Sequence, residues 1–155
     1  MRTWVLAILL GACGSNGSSG PPDARVLPDA DPNALRVAGT YPTAVSLGQS
    51  DCSGITVQSM TTQVSHAPGA TALTLTHAGQ TYSGTVARDG TFATTPHAVG
   101  TAAELHTLTI AGQFSTTGFE ATVDVSVSAN GVHQCDYVVN WVGTKVGGPP
   151  NVIPE

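Results

Sequence analysis

An all-β domain is predicted by this sequence, in the form of an up-and-down meander of about eight antiparallel strands that closes into a small barrel. Apolar and polar residues alternate with a period of two over several stretches, and no window shows a helical period. Glycine (18) and proline (10) are plentiful, whereas only 10% of the residues are charged and 5% aromatic. A β-sandwich would give the same local pattern and is the alternative.

The individual strands follow from the alternation. Residues 119–127 carry apolar side chains at odd positions and polar ones at even positions, and residues 106–114 also alternate, with the inward set at even positions. Each such segment is a strand with one buried face and one face in water. Eight strands are predicted to begin near Tyr41, Ile55, Ala72, Tyr82, Thr91, Leu105, Phe119 and Val132.

Parity predicts the turns, because residues opposite one another on paired strands share a face. A three-residue loop, Ala129-Asn130-Gly131, places the apolar side chains of the two strands opposite one another, whereas a two-residue loop, Asn130-Gly131, does not. The predicted register pairs Val127 with His133, Val125 with Cys135 and Phe119 with Trp141. A three-residue loop at 88–90 and a four-residue loop at 115–118 predict the pairs Val86 with Phe92 and Phe114 with Phe119.

The first thirteen residues resemble a targeting sequence. Arg2 supplies a positive charge, and residues 4–10 form an apolar run far shorter than the ~20 residues that span a bilayer. The run ends in Leu10-Gly11-Ala12-Cys13, which closely resembles the lipobox of bacterial lipoprotein precursors. This resemblance implies cleavage before Cys13 and its lipidation, and Gly14 after it implies export to the outer membrane. An ordinary secretory signal with an incidental cysteine is the alternative.

The chain therefore divides into four predicted segments. Residues 1–12 are a signal peptide, and residues 13–36 are a lipid-anchored tether, rich in Gly, Ser, Pro and Asp, that buries too little apolar surface to fold. Residues 37–146 form the barrel domain. Residues 147–155 have the sequence GGPPNVIPE, which is rich in Gly and Pro, and are expected to be a flexible tail.

The two remaining cysteines are predicted to form a disulfide. With Cys13 as the anchor, Cys52 and Cys135 are an even pair in an oxidising compartment. If the last strand pairs with the first to close the barrel, both cysteines lie near that seam. The inward positions of strand one are odd and Cys52 is even, so a β-bulge is required, and Gly48 is the natural place for it.

The domain also resembles lipocalin-like small barrels. Gly39-Thr40-Tyr41 stands where those proteins carry Gly-x-Trp near the first strand, with Tyr41 in place of Trp, and the last strand ends at Asn140-Trp141-Val142-Gly143. The resemblance implies a meander of about eight antiparallel strands. A barrel of this size is either filled by its side chains or holds one small ligand.

Composition excludes several functions. The net charge is −5 and the chain has only five Lys and Arg, so no basic surface is available for nucleic acid. There is no GxSxG elbow, no paired carboxylates and no nucleophile beside a base. We therefore expect neither an enzyme nor a cofactor.

Two sets of residues are candidate sites. The first comprises inward-facing aromatic residues that would line a ligand cavity or, alternatively, form the barrel core: Tyr82, Phe92, Phe114, Tyr137 and Trp141. The second comprises histidines that the topology places at one rim, where they would form a zinc-type site or be solvated: His77, His106 and His133. No local ligand spacing such as HxH supports a metal.

These observations favour a lipid-anchored envelope protein, in the periplasm or at the surface, that binds a small apolar ligand in the barrel mouth without catalysis. Its predicted partners are the membrane, through the anchor, and that ligand. The alternative is a structural or interaction lipoprotein with a filled core, and a metal site on the histidine rim is the third hypothesis.

Overall fold

A computed structural model describes residues 31–155, which form an antiparallel β-structure without helices. The predicted signal peptide, Cys13 and most of the predicted tether lie outside the described residues. In the described part no helix is long and apolar enough to cross a membrane. The strands are β1 Gly39–Ser50, β2 Met60–Ser65, β3 Ala72–His77, β4 Gln80–Val86, β5 Thr91–Thr94, β6 His97–Thr101, β7 Glu104–Ser115, β8 Gly118–Ala129 and β9 Val132–Thr144.

The sheet closes into a barrel, as the alternation predicts. The strand order is β5-β4-β3-β2-β1-β9-β8-β7-β6, and β5 also pairs with β7. The closed ring therefore contains eight antiparallel strands, with β6 as one extra strand. This closure fits a lipocalin-like barrel and excludes the β-sandwich.

The ninth strand arises where one predicted strand is interrupted. Both β5 and β6 pair with β7, through Ala93 opposite Ala111 and through His97 opposite Leu108. Pro96 lies between β5 and β6, and it has no N–H to donate to a ladder. The second predicted strand was misplaced, because β2 begins at Met60 and residues 51–59 form no strand.

Three turns test the parity argument. The predicted pairs Val86 with Phe92 and Phe114 with Phe119 are confirmed. The register predicted for β8 and β9 is wrong by two residues. There Asn130 and Gly131 form a two-residue turn with φ of 52° and 79°, and the ladder shifts after it, so that Val127 pairs with Cys135 and Ser128 with His133. The bulge restores the apolar-to-apolar match that the predicted longer loop was meant to supply.

The seam between β1 and β9 closes the barrel with a disulfide. Leu47 pairs with Val139 and Ser50 with Tyr137, and the irregularity between Leu47 and Ser50 contains Gly48, where the bulge was predicted. Cys52 is bonded to Cys135, with their Cα atoms 5.3 Å apart. The predicted disulfide is therefore confirmed.

The lower end of the barrel, where β1 and β8 begin and β7 and β9 end, is filled with aromatic rings. Tyr41, Phe92, Phe114 and Phe119 are each at most 2% exposed, and the ring centroids of Phe92 and Phe114 are 4.8 Å apart. Their removal from water drives this end to pack, since each buried aromatic side chain contributes about 1.5–3 kcal/mol or more.

The expected flexible tail, residues 147–155, and the last residues of the predicted tether, Leu35 and Arg36, pack on this lower end, contrary to prediction. Asn151 is buried: its Oδ1 accepts from the Tyr41 hydroxyl and Lys145 Nζ, both at 2.8 Å, and its Nδ2 donates to the Ser115 carbonyl at 2.7 Å. Burial raises the pKa of Tyr41 to about 12. Val152 pairs with Arg36, while Leu35 and Val37 are buried in the core. The Asn151 amide therefore fixes residues 147–155 to the barrel by satisfying several buried polar groups, although the composition of this segment is typical of a flexible tail.

Candidate ligand-binding mouth

The upper end of the barrel is more open than the lower end. Strands β1, β7, β8 and β9 have 12 or 13 residues, whereas β2 to β5 have four to seven. We use the term mouth for the inward positions on the disulfide side of Trp141, which are Val45, Leu47, Met60, His97, His106, Leu108 and Tyr137. None of these side chains is fully buried.

Two apolar side chains in the mouth are well exposed. Leu47 is 39% exposed and continues the inward alternation of Tyr41 and Thr43, which are buried. Met60 is 44% exposed and continues the inward alternation of β2. Exposed apolar side chains on the concave side of a barrel provide a surface that an apolar ligand can cover.

A ring stack forms the floor of the mouth. The imidazole of His77 lies on the indole of Trp141, with centroids 4.2 Å apart and planes at 31°. The ring of Tyr82 meets Trp141 edge-on at 6.5 Å. Burial raises the pKa of Tyr82 and lowers that of His77. The floor is therefore aromatic and electrically neutral near pH 7.

Polar groups surround this apolar mouth. His97 Nε2 lies 3.3 Å from Gln80 Oε1. His106 Nε2 lies 3.1 Å from Glu104 Oε1, a carboxylate that can only accept, so that Nδ1 is left to accept from the Tyr137 hydroxyl at 3.4 Å. Burial, together with the charge of Glu104, raises the pKa of Tyr137. These groups provide donors and acceptors for the polar end of a bound molecule.

The aromatic residues predicted to line a ligand cavity divide between core and mouth. Tyr82, Phe92, Phe114 and Trp141 are 2–5% exposed and pack into the core. Tyr137 alone is only partly buried and faces the mouth. Phe92 and Phe114 belong to the lower ring cluster, below the floor.

The three histidines of the predicted zinc site are not gathered in one place. His77 is buried, and His106 faces the mouth opposite Val127. His133 was expected opposite Val127 as well, but the bulge places it opposite Ser128, where it lies exposed with Nε2 3.5 Å from Asp136. Among residues 31–155 the one grouping of potential ligands is Asp51 with Cys52 and Cys135, and both of those sulfurs are in the disulfide.

Other concave surfaces lie outside the barrel interior. A pocket of about 220 Å³ at the lower end is lined by Leu35, Val86 and Arg88 among others. A groove of about 410 Å³ crosses the outer face of β7, β8 and β9, and Thr109, Asp124 and Val138 contribute to it.

The sequence prediction missed the two residues that open the mouth. Leu47 follows the inward parity of strand one, so its orientation was available, but its exposure depends on the short strands opposite. Met60 was hidden by the misplaced start of the second strand.

Comparisons of the chain with protein-family models, curated proteins and solved structures gave no match.

Proposed function

We propose that this protein is a non-enzymatic binding module that holds a small, mostly apolar ligand in the barrel mouth and is anchored to the bacterial envelope by lipid on Cys13. The observation that carries the proposal is the exposure of Leu47 and Met60 on the inward side of the barrel. The filled lower end limits the depth of the site. The ligand is therefore short, with its apolar part on Leu47 and Met60 and its polar group on the polar atoms of the mouth and its floor.

Binding of an apolar probe tests this proposal. We expect N-phenyl-1-naphthylamine, whose emission rises in apolar surroundings, to bind the full chain carrying Cys13→Ser, a change that prevents a lipid from competing for the mouth. Leu47→Asp and Met60→Asp should each weaken binding about tenfold or more, because each removes an apolar contact of about 1.5–3 kcal/mol and adds a charge.

The matched control is Val142→Asp, which introduces the same charge in place of an apolar side chain that is 49% exposed on the outer face of the barrel. It should leave probe binding unchanged. Equal losses in all three variants, or no binding by the parent chain, would refute a site in the mouth.

The anchor is tested separately. The lipobox resemblance at Leu10-Gly11-Ala12-Cys13 supports lipidation, since two or more chains give stable attachment to a membrane. We expect the wild-type chain in a Gram-negative host to fractionate with the outer membrane, and Cys13→Ser to be released or to accumulate as uncleaved precursor. A Cys13→Ser chain that is processed and fractionated like the wild type would show that the cysteine is incidental.

The second candidate function is an interaction lipoprotein that uses its outer face. The filled lower core and the groove on β7, β8 and β9, bordered by Asp124 and Asp136, favour this alternative. It predicts that no small apolar probe binds and that charge changes in the groove, rather than in the mouth, impair the function.

A further inference from the structure

The floor of the mouth contains a histidine whose orientation is fixed by a chain of hydroxyl groups. Thr43 Oγ1 lies 2.8 Å from the Tyr41 carbonyl, which can only accept, so the Thr43 proton is donated there. Thr62 Oγ1 lies 2.8 Å from Thr43 Oγ1 and must therefore donate to it. With the proton of Thr62 thus engaged, His77 Nδ1, at 2.9 Å, has to donate to Thr62.

This chain determines the tautomer of His77. A neutral imidazole carries one proton, and Nδ1 holds it, so Nε2 is a bare acceptor. Burial lowers the pKa of His77 and thereby keeps the ring neutral near pH 7. Nε2 has no hydrogen-bond partner among the described residues.

The same nitrogen is accessible to solvent although His77 is only 6% exposed. In residues 31–155 the one side-chain N or O that is fully shielded from water and without a partner is His66 Nδ1. The unpartnered Nε2 of His77 therefore still touches solvent. His77 faces inward and is the last residue of β3, at the upper end of the barrel, so we infer that this exposed edge of the ring lies on the mouth side.

The charges around the mouth disfavour an anion. The Lys and Arg residues within 31–155 are Arg36, Arg88 and Lys145, and all three lie at the lower end. The upper rim instead carries Asp51, Glu104 and Asp136. A carboxylate or phosphate at the mouth would meet these negative charges and the unprotonated Nε2 of His77, which cannot donate a hydrogen bond to it.

We infer that the mouth selects neutral amphipathic molecules that carry a hydroxyl or N–H group, which donates a hydrogen bond to His77 Nε2 while the apolar part covers Leu47 and Met60. This inference rests on the proposed binding function and specifies its ligand class. The same groups disfavour an ionised fatty acid of similar size.

Calorimetric titration with three eight-carbon amphiphiles tests the inference at pH 8, where the His77 imidazole is neutral. We use the full chain carrying Cys13→Ser and titrate 1-octanol, octyl methyl ether and octanoate. Octanol should bind roughly three- to tenfold more tightly than the ether, which has no donor, as expected for one net hydrogen bond. Octanoate should bind most weakly.

Two variants connect that preference to the imidazole. His77→Phe keeps a ring on Trp141 and removes Nε2, so it should make octanol and the ether bind equally. Thr62→Val removes the group that holds Nδ1–H and should reduce the preference even if His77→Phe fails to fold. In the parent chain, ¹⁵N NMR should show a proton on Nδ1 of His77 and none on Nε2.

The possible failures are distinguishable. Equal binding of octanol and the ether, tighter binding of octanoate, or an Nε2–H tautomer would overturn the inference and leave the binding module standing. If none of the three ligands binds, both the inference and the proposed function fall.

Discussion

At the scale of single residues, His77 connects the stability of the core with the chemistry of the mouth. Its ring is buried on Trp141, and its Nδ1 proton is used by Thr62. A second proton would place a charge in a neutral aromatic environment, which explains why burial lowers the pKa of His77. The residue should therefore make the stability of the fold depend on pH.

The sign of this dependence follows from proton uptake. The unfolded chain protonates His77 near its ordinary pKa of 6.5, whereas the folded chain does so only at lower pH. The unfolded state thus binds more protons between the two values, and acidification in that window favours unfolding. We expect the melting temperature to be insensitive to His77 above about pH 7 and to fall below pH 6.5 until the folded pKa is reached.

The measurement is thermal unfolding at a series of pH values from 8 to 5. His77→Phe should reduce the decline below pH 6.5, whereas His133→Phe, at an exposed histidine, should leave it almost unchanged. An acid-induced decline of the same size in His77→Phe and in the parent chain would show that His77 does not contribute.

At the scale of strands and turns, the face to which each side chain points was predictable, whereas the register was predictable at two turns and not at the β8–β9 turn. Alternation correctly assigned the aromatic residues of the barrel to its inward face, because the side-chain period of a strand is local. The β8–β9 register failed because a bulge and a longer loop give the same parity, and only the tertiary fit chooses between them. Likewise, the stacking of His77 on Trp141 joins β3 to β9, and alternation contains no information about contacts across a barrel.

The β8–β9 turn provides a test at this scale. Gly131 has φ of 79°, in the left-handed region that a two-residue turn requires at both positions. Gly131→Ala should lower the free energy of unfolding by about 1–2 kcal/mol through backbone strain. Gly131→Asn should cost clearly less, because asparagine tolerates this conformation.

Urea unfolding of the two variants decides the matter, since no side chain comes within 4 Å of a Cβ built on Gly131 and steric conflict cannot explain a difference. Equal stability of Gly131→Ala and the parent chain would show that Gly131 does not hold the left-handed conformation in solution.

At the scale of the whole molecule, the two ends of the barrel are closed by different means. The lower end is sealed by aromatic rings and by the segments on either side of the Arg36–Val152 bridge, which are distant in sequence. The upper end remains open, and its seam is held by Cys52–Cys135. Closure was predictable because a meander with apolar inner faces must hide its edges, whereas the packed tail depends on the single side chain of Asn151.

The disulfide should contribute to global stability mainly through the unfolded chain. It joins residues 83 positions apart, and restricting a loop of that length removes enough unfolded-state entropy to stabilise the fold by about 3–5 kcal/mol. We expect Cys52→Ser combined with Cys135→Ser to lower the free energy of unfolding in urea by this amount. The slope of that free energy against urea should increase, because an unlinked chain exposes more surface when it unfolds. The parent chain with the disulfide chemically reduced is the control and should match the double variant. A loss below about 1 kcal/mol, with an unchanged slope, would mean that strand pairing between β1 and β9 alone closes the barrel.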